Sequence, residues 1–397
     1  MGGQALTKAD PLDLNDLGLD ALDAGKVNEA IEHLSAATQG APGEPTLWMN
    51  LAKAHRVAGN DEAERAALEG ALAIDQLHLM ARIRLAELHE RRGEPGAASD
   101  HWAMVLGIGA NIPSHTQELR DVLTHARQFV EGRRQALTDA LNQGLATSFE
   151  QATERDRRRA GRAARMMTSG QKVYTNQCHG FHYPFLPADE YFDRGHFPWL
   201  AKLEAATTFI RQELEAILAS PDPGLSPYID MPSGTPDNLW SELDKSPNWS
   251  ALHLWRDGCK IEEVCAKAPR TAELVESLPI ARIPGRAPAV FFSILKAGKR
   301  IPPHTGVTNI RSIVHLGLNV PPGCGLRVGG EVREWREGEA FVFDDTIEHE
   351  AWNDSGVDRA VLILDCWNPH LSEAEQAMIL QMFAISEAQR PDRPLRG

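Results

Sequence analysis

Leu17, Leu51 and Leu85 recur every 34 residues, and so do Gly25, Gly59 and Gly93. Each glycine interrupts a run of helix formers, in "LDAGKVNEA", "RVAGNDEAE" and "ERRGEPGAA", and so marks the turn between two short helices. Ala37, Ala71 and Val105 keep the same period on the second helix of each pair, and Trp48 opens the middle unit. Fixed columns across three units restrict the fold more than composition can. A helical pair of this length cannot bury its apolar side alone, so successive pairs must stack, and the first third of the chain reads as a helical solenoid.

This pattern resembles the tetratricopeptide repeat, although Glu64 stands where a small residue is expected. The resemblance implies a curved surface that recruits a peptide or protein, with a spacer or dimerisation module as the plainer alternative. We assign the repeats to residues 1–110, a helical linker to 111–170 and a second domain to 171–397. The linker carries "ERDRRRAGRAAR" (154–165), a basic run on a chain of formal net charge −14. Such runs are usually solvated helix faces, and the overall acidity argues against nucleic acid as a partner. No apolar run approaches the roughly 18 residues that a membrane helix needs, so no membrane partner is expected. The "MGGQAL" start has Leu6 where a myristoylation signal has Ser or Thr, and no cationic stretch leads into an apolar run as in a secretory signal. Cys178, Cys259, Cys265, Cys324 and Cys366 are spaced neither as a zinc site nor as a disulfide framework, which makes a reducing, cytoplasmic setting the expectation.

The periodicity changes after "TSGQ" (168–171). Aromatic residues and prolines cluster, and then "LAKLEAATTFIRQELEAIL" (200–218) predicts one amphipathic helix. Residues 221–248, rich in Pro, Ser, Asp and Asn, read as an ordered loop or a mobile lid. From Ala289 onward six or seven short alternating segments predominate, among them "AVFFSILKAG", "IRSIVHLGLNV" and "RAVLILDCW". Strands this short and this closely spaced predict a compact sandwich or barrel, with "RVGGEV" as a hairpin on its Gly-Gly turn. The fold class expected is α+β multidomain.

Two histidines stand at strand edges in this region, His304 and His349, 45 residues apart. Strands of one barrel can bring two imidazoles to a single metal, and neutral imidazole suits iron, copper, nickel and zinc alike. Taken singly, either histidine reads as a hydrogen-bonded structural residue. Arg359 opens the nearly all-apolar strand "RAVLILDCW", where a guanidinium must find an anion or water. Ser293 can add a hydroxyl to the same anion, and His315, if inward, can meet a second carboxylate. A ligand with a carboxylate at each end, one of them chelating the metal, accounts for these residues together.

"PHTGVTNIRSIVHLGL", "FVFDDTIEHEAWNDSGVDRAVLILDCWNP" and the upstream "NWSALHLWRDGCKIEEVCAKAPRT" resemble the aspartyl/asparaginyl β-hydroxylase family over about residues 172–372. The resemblance implies a double-stranded β-helix of the jelly-roll or cupin kind. It also implies an Fe(II) centre held by two histidines, with 2-oxoglutarate as cosubstrate and O2 as oxidant. His304 and His349 become the iron ligands, and Gly306 stands where related oxygenases place a carboxylate, with water filling the vacancy. Arg359 and Ser293 are implied to hold the distal carboxylate of 2-oxoglutarate, His315 to lie near its chelating end, and Trp249 to wall its pocket. Animal members carry an arginine where this chain has Ile313; Arg311, two residues earlier, is the candidate replacement. Asp344, Asp345, Glu348 and Glu350 of "DDTIEHE" read either as orienters of His349 or as a solvated acidic turn. The expected activity is hydroxylation at Cβ of Asp or Asn in a peptide or protein recruited by the repeats. One alternative is hydroxylation of a small molecule or acyl chain with the same cofactors; another is a non-catalytic scaffold with a ligand-binding barrel.

Overall fold

The 34-residue period becomes three helical hairpins: α1 (Pro11–Asp23) with α2 (Val27–Gly40), α3 (Pro45–Val57) with α4 (Asp61–Ile74), and α5 (Leu79–Arg91) with α6 (Pro95–Gly109). Gly25, Gly59 and Gly93 leave the first helix of each pair at φ 75°, 70° and 68°, a left-handed turn that glycine enters without a Cβ clash. The leucine column shows why the units need neighbours. Leu51 and Leu85 are 7% and 1% exposed, covered by neighbouring hairpins, whereas Leu17, in the first described hairpin, is 51% exposed. Glu64, the departure from the repeat pattern, is fully buried and accepts a hydrogen bond from Arg91 Nη2 at 2.6 Å. Helix α7 (Gln117–Gln151) extends this core, burying Leu123 and Ala126 with Ile83, Ala86 and Trp102. Helix α8 (Glu154–Ser169) carries the basic run and buries no residue.

The computed structural model describes residues 10–170 and 172–389, and the "MGGQAL" start lies outside the described residues. The chain divides after Gly170 into two units, each with its own core. In the second unit the helix predicted over 200–218 is broken at Ala206 into α9 (Leu200–Ala205) and α10 (Thr207–Leu218). Thr207 caps this junction by donating its hydroxyl to the Glu204 carbonyl. Strands β1 (Ser226–Pro227), β2 (Trp249–Arg256) and β3 (Cys259–Lys260) follow, then α11 (Glu262–Cys265) and α12 (Pro269–Glu276).

From here the chain passes alternately between two antiparallel sheets. Strands β4 (Val290–Leu295), β6 (Arg311–Asn319), β9 (Ala340–Phe343) and β11 (Arg359–Trp367) enter the larger sheet, ordered β1-β2-β4-β11-β6-β9 with β3 beside β2. Strands β5 (Lys299–His304), β7 (Cys324–Val328), β8 (Glu331–Glu334) and β10 (His349–Asn353) form the smaller one, ordered β5-β10-β7-β8. This alternation winds the chain around one shared interior, as two sheets facing each other require. The inner faces meet in a cluster that includes Phe291, Leu326, Phe343 and Val361. The outer face of the larger sheet packs on α10 and α12 through residues such as Ile210, Leu214, Val275 and Leu362. Strands β4 and β11 are thus covered on both sides, which explains why they read as unbroken apolar runs. Gly329 and Gly330 turn β7 into β8, with Gly329 at φ 56°. The last helix is α13 (Glu373–Ala388), opened by a reciprocal cap between Ser372 and Glu375.

Candidate active site

Strands β5 and β10 are antiparallel neighbours, and their register sets His304 directly opposite His349. The two rings lie 4.0 Å apart between centroids, tilted by 52°. Each ring is held by its own backbone: Nδ1 of His304 meets the Pro302 carbonyl at 2.8 Å, and Nδ1 of His349 meets the Ile347 carbonyl at 3.0 Å. A carbonyl can only accept, so both Nδ1 atoms carry the proton and both Nε2 atoms keep a lone pair, the tautomer that binds a metal. Burial holds both imidazoles neutral, pushing His349 down to about 3 and lowering His304. Trp240 covers His304 edge-on at 4.9 Å.

A cavity of about 240 Å3 opens beside this pair, lined by Ser293, His315, Arg359 and Trp249 among others. Arg359 is 1% exposed and lies 4.7 Å over the Trp335 ring. Its Nε and Nη1 are buried without a hydrogen-bond partner, and so is Nδ1 of His315. Burial lowers the guanidinium to about 10, so it remains a cation at neutral pH. An uncompensated buried cation is destabilising by several kcal/mol (about 3–5 for a broken pair) unless an anion arrives. Ser293 Oγ accepts from Trp249 Nε1 at 3.1 Å, which leaves the serine O–H free to donate to that anion. The donors present therefore fit one carboxylate of a dicarboxylate, whose other end would reach a metal held by the two Nε2 atoms.

Gly306 has a stronger reason for its lack of side chain than an absent ligand. An added Cβ would fall 2.1 Å from Oδ2 of Asp345, and the Gly306 N–H donates to the Asp345 carbonyl at 2.6 Å. This carboxyl group lines the same cavity as the two histidines. Burial raises its pKa to about 7, with the nearby Asp344 adding to the effect. Among the described residues, no three His, Cys, Asp or Glu side chains converge as a metal-binding group. The geometry is that of a two-imidazole site with a carboxyl group beside it.

Other acidic residues of "DDTIEHE" have different tasks. Glu348 and Glu350 both pair with Arg327, at 3.0 and 2.5 Å, and do not orient His349. Asp344 accepts from the Thr346 N–H and hydroxyl and from Asn176, which fixes the turn leading into β10. Arg311 also departs from expectation. Its Nη1 is engaged by the buried Asp365 and by the Arg286 carbonyl, whereas Ile313 itself lines the cavity. Residues 221–248 form part of the wall: Tyr228 stacks on Trp249 at 4.0 Å, and the Lys245 N–H bonds the Ile229 carbonyl. Tyr228, Ile229 and Trp240 line the cavity. Their aromatic and apolar character within a polar loop was the available signal for this.

Residues 204–369 match the sequence profile of the aspartyl/asparaginyl β-hydroxylases. This part of the chain is similar to that family. The human aspartyl/asparaginyl β-hydroxylase is 38% identical over 135 residues, which is 34% of this chain and 18% of the human protein. The ornithine lipid ester-linked acyl 2-hydroxylase of Rhizobium tropici is 34% identical over 186 residues, 46% of this chain and 62% of that one. The human aspartate β-hydroxylase domain-containing protein 2 is 37% identical over 145 residues, covering 35% and 38%. The chain thus matches less than two thirds of the length of each of these relatives. Among solved structures, the Sgt2 TPR domain from Aspergillus fumigatus is similar at 19% identity with a TM-score of 0.28, over 32% of this chain and 86% of that one. The β-hydroxylase part carries all six residues singled out from sequence, and the fold brings them to one cavity.

Proposed function

We propose that the β-hydroxylase unit is an Fe(II)- and 2-oxoglutarate-dependent hydroxylase of C–H bonds. The observation that supports this most is the pairing of two Nε2 lone pairs with the buried, unpartnered guanidinium of Arg359 in one cavity. His304 and His349 would hold the iron through Nε2. Arg359 would bind the distal carboxylate of 2-oxoglutarate through its fork, the Ser293 O–H would donate to the same group, and His315 would meet the chelating end. When bound, iron with 2-oxoglutarate and O2 supplies the oxidising power that turns C–H into C–OH, releasing succinate and CO2. The protein's part is positional: Trp249 fixes the serine hydroxyl, the backbone fixes both histidine tautomers, and Tyr228 and Trp240 keep water from the cavity.

The substrate follows from the remaining wall. Apart from Arg359, assigned above to the cosubstrate, no Lys or Arg among the described residues lines this cavity, whose remaining wall includes Ile229, Ile301, Val307 and Ile313. This disfavours an aspartyl side chain at the reacting position and favours an uncharged one: an asparaginyl side chain in a peptide, or an acyl segment, the substrate named for the Rhizobium relative. Incubation of the full chain with Fe(II), 2-oxoglutarate and O2, against Asp and Asn peptides and acyl lipids, tests both statements. Succinate formation with a one-oxygen mass gain on an uncharged substrate is the expected result. No succinate above background with any of them would favour the scaffold reading.

A further inference from the structure

Val307 is 36% exposed and lines two cavities, the one beside the histidines and a second of about 170 Å3. The second cavity is lined by two arginines, Arg286 and Arg311, and one carboxylate, Asp257. Arg286, which lines it, lies flat against the C-terminal helix with Cζ 4.4 Å from the ring centroid of Phe383. Its Nε is buried without an acceptor, and no carboxylate among the described residues forms an ion pair with it. Stacking on a ring face leaves the edge of a guanidinium, where its N–H donors lie, as the part that meets a ligand. Arg311 stands beside it, tied through Nη1 to the Arg286 carbonyl and to Asp365. Thr308 contributes a hydroxyl to the same lining, and its Oγ already accepts from the Ile310 N–H at 3.5 Å. Asp257 also lines the cavity but is exposed, where water and salt screen its charge.

We propose that this second cavity is an anion-binding subsite in which the edge of Arg286 holds a carboxylate or phosphate group. Val307 lines both this subsite and the cavity of the histidine pair. The anion is therefore the charged end of the molecule whose uncharged segment is presented at His304 and His349. The assignment to substrate rests on the hydroxylase reading above, whereas anion binding itself does not. Together the two cavities describe a substrate with an apolar or amide-bearing segment at one end and a fixed negative charge at the other.

The binding test needs neither iron nor turnover. The full chain carrying Arg359→Gln, which removes the cation of the first cavity, is titrated calorimetrically with inorganic phosphate and with acetate at constant low ionic strength. Saturable binding is expected, weakened at least tenfold by adding Arg286→Gln and unchanged by Arg300→Gln, a surface residue paired with Asp354. The tighter of the two probes tells a phosphate from a carboxylate ligand. Arg286→Lys, which retains charge but lacks the fork, is expected to bind more weakly than the parent and serves if the glutamine variant unfolds. Absence of saturable binding, or equal affinity after Arg286→Gln, overturns the subsite. Once a product is identified by its one-oxygen mass gain, Arg286→Gln should raise KM for that substrate at least tenfold. Succinate formation without substrate should stay within about twofold, and an unaltered KM would refute the link to substrate.

Discussion

A methyl group at position 306 cannot coexist with Asp345 in its present place, so the two residues should be energetically coupled. Gly306→Ala is expected to destabilise the unit by about 1–3 kcal/mol, as overpacking does, and to weaken Fe(II) binding by moving the His304 turn. Adding Asp345→Gly should recover part of that stability, and denaturant unfolding of the four variants measures the coupling; additive changes would show that Asp345 simply swings aside. Arg359 invites a different test. Because its buried charge has no partner, Arg359→Met should raise the stability of the ligand-free chain. The same change should weaken 2-oxoglutarate binding roughly a hundredfold, about 3 kcal/mol. Thermal unfolding with and without 2-oxoglutarate reads both effects, and a loss of stability in the ligand-free variant would contradict the burial argument. His315, Ser293 and Arg359 were legible as polar residues within or at the start of apolar strands, and His304 and His349 as histidines at strand edges, whereas Trp249 came only from the family resemblance. Asp345 was not distinguishable from Asp344, Glu348 and Glu350, since alternate residues of one turn face opposite ways and only coordinates show which enters the cavity.

At the scale of single elements, the repeat was readable because its glycines have one conformational reason to recur, and all three adopt it. Strands β2 and β5 were hidden for opposite reasons. Strand β2, "WSALHLWR", is buried on both faces apart from its end and so lacks alternation. Strand β5 contains Pro302 and Pro303, which break the pattern, but it lies at the edge of its sheet, where a missing N–H is tolerated. The irregular Glu64 column is also informative. Burial raises its pKa above 4.5 in spite of Arg91, and its Oε1 has no partner, so the ionised form opposes folding. The helical unit should therefore lose stability as pH rises from about 4.5, a dependence that Glu64→Ala removes. Above that range Glu64→Ala should be neutral or stabilising, whereas Arg91→Ala should be destabilising by about 3 kcal/mol, because it strands a buried carboxylate. Equal destabilisation by both substitutions in urea would refute this asymmetry.

For the whole molecule, the separate cores of the two units make a division of labour testable. Hydrophobic residues from α5, α6 and α7 share one cluster, Trp102 and Leu123 among them. A cut after residue 110 would therefore strip α7 of the side chains it packs on. A cut after Gly170 leaves both the facing-sheet cluster and the helix-covered one complete. Residues 171–397 alone are expected to fold, to bind Fe(II) and 2-oxoglutarate as the full chain does, and to release succinate slowly without substrate at the same rate. If the helical hairpins recruit a polypeptide, this shorter form should need a much higher substrate concentration, with KM raised about tenfold or more and kcat little changed, since recruitment acts as an effective concentration. If the substrate is instead a small molecule or a lipid held only by the two cavities, KM will be the same in both forms. Comparing the two forms on one identified substrate thus decides between a recruiting role for the repeats and a supporting one, without altering any residue of the cavity.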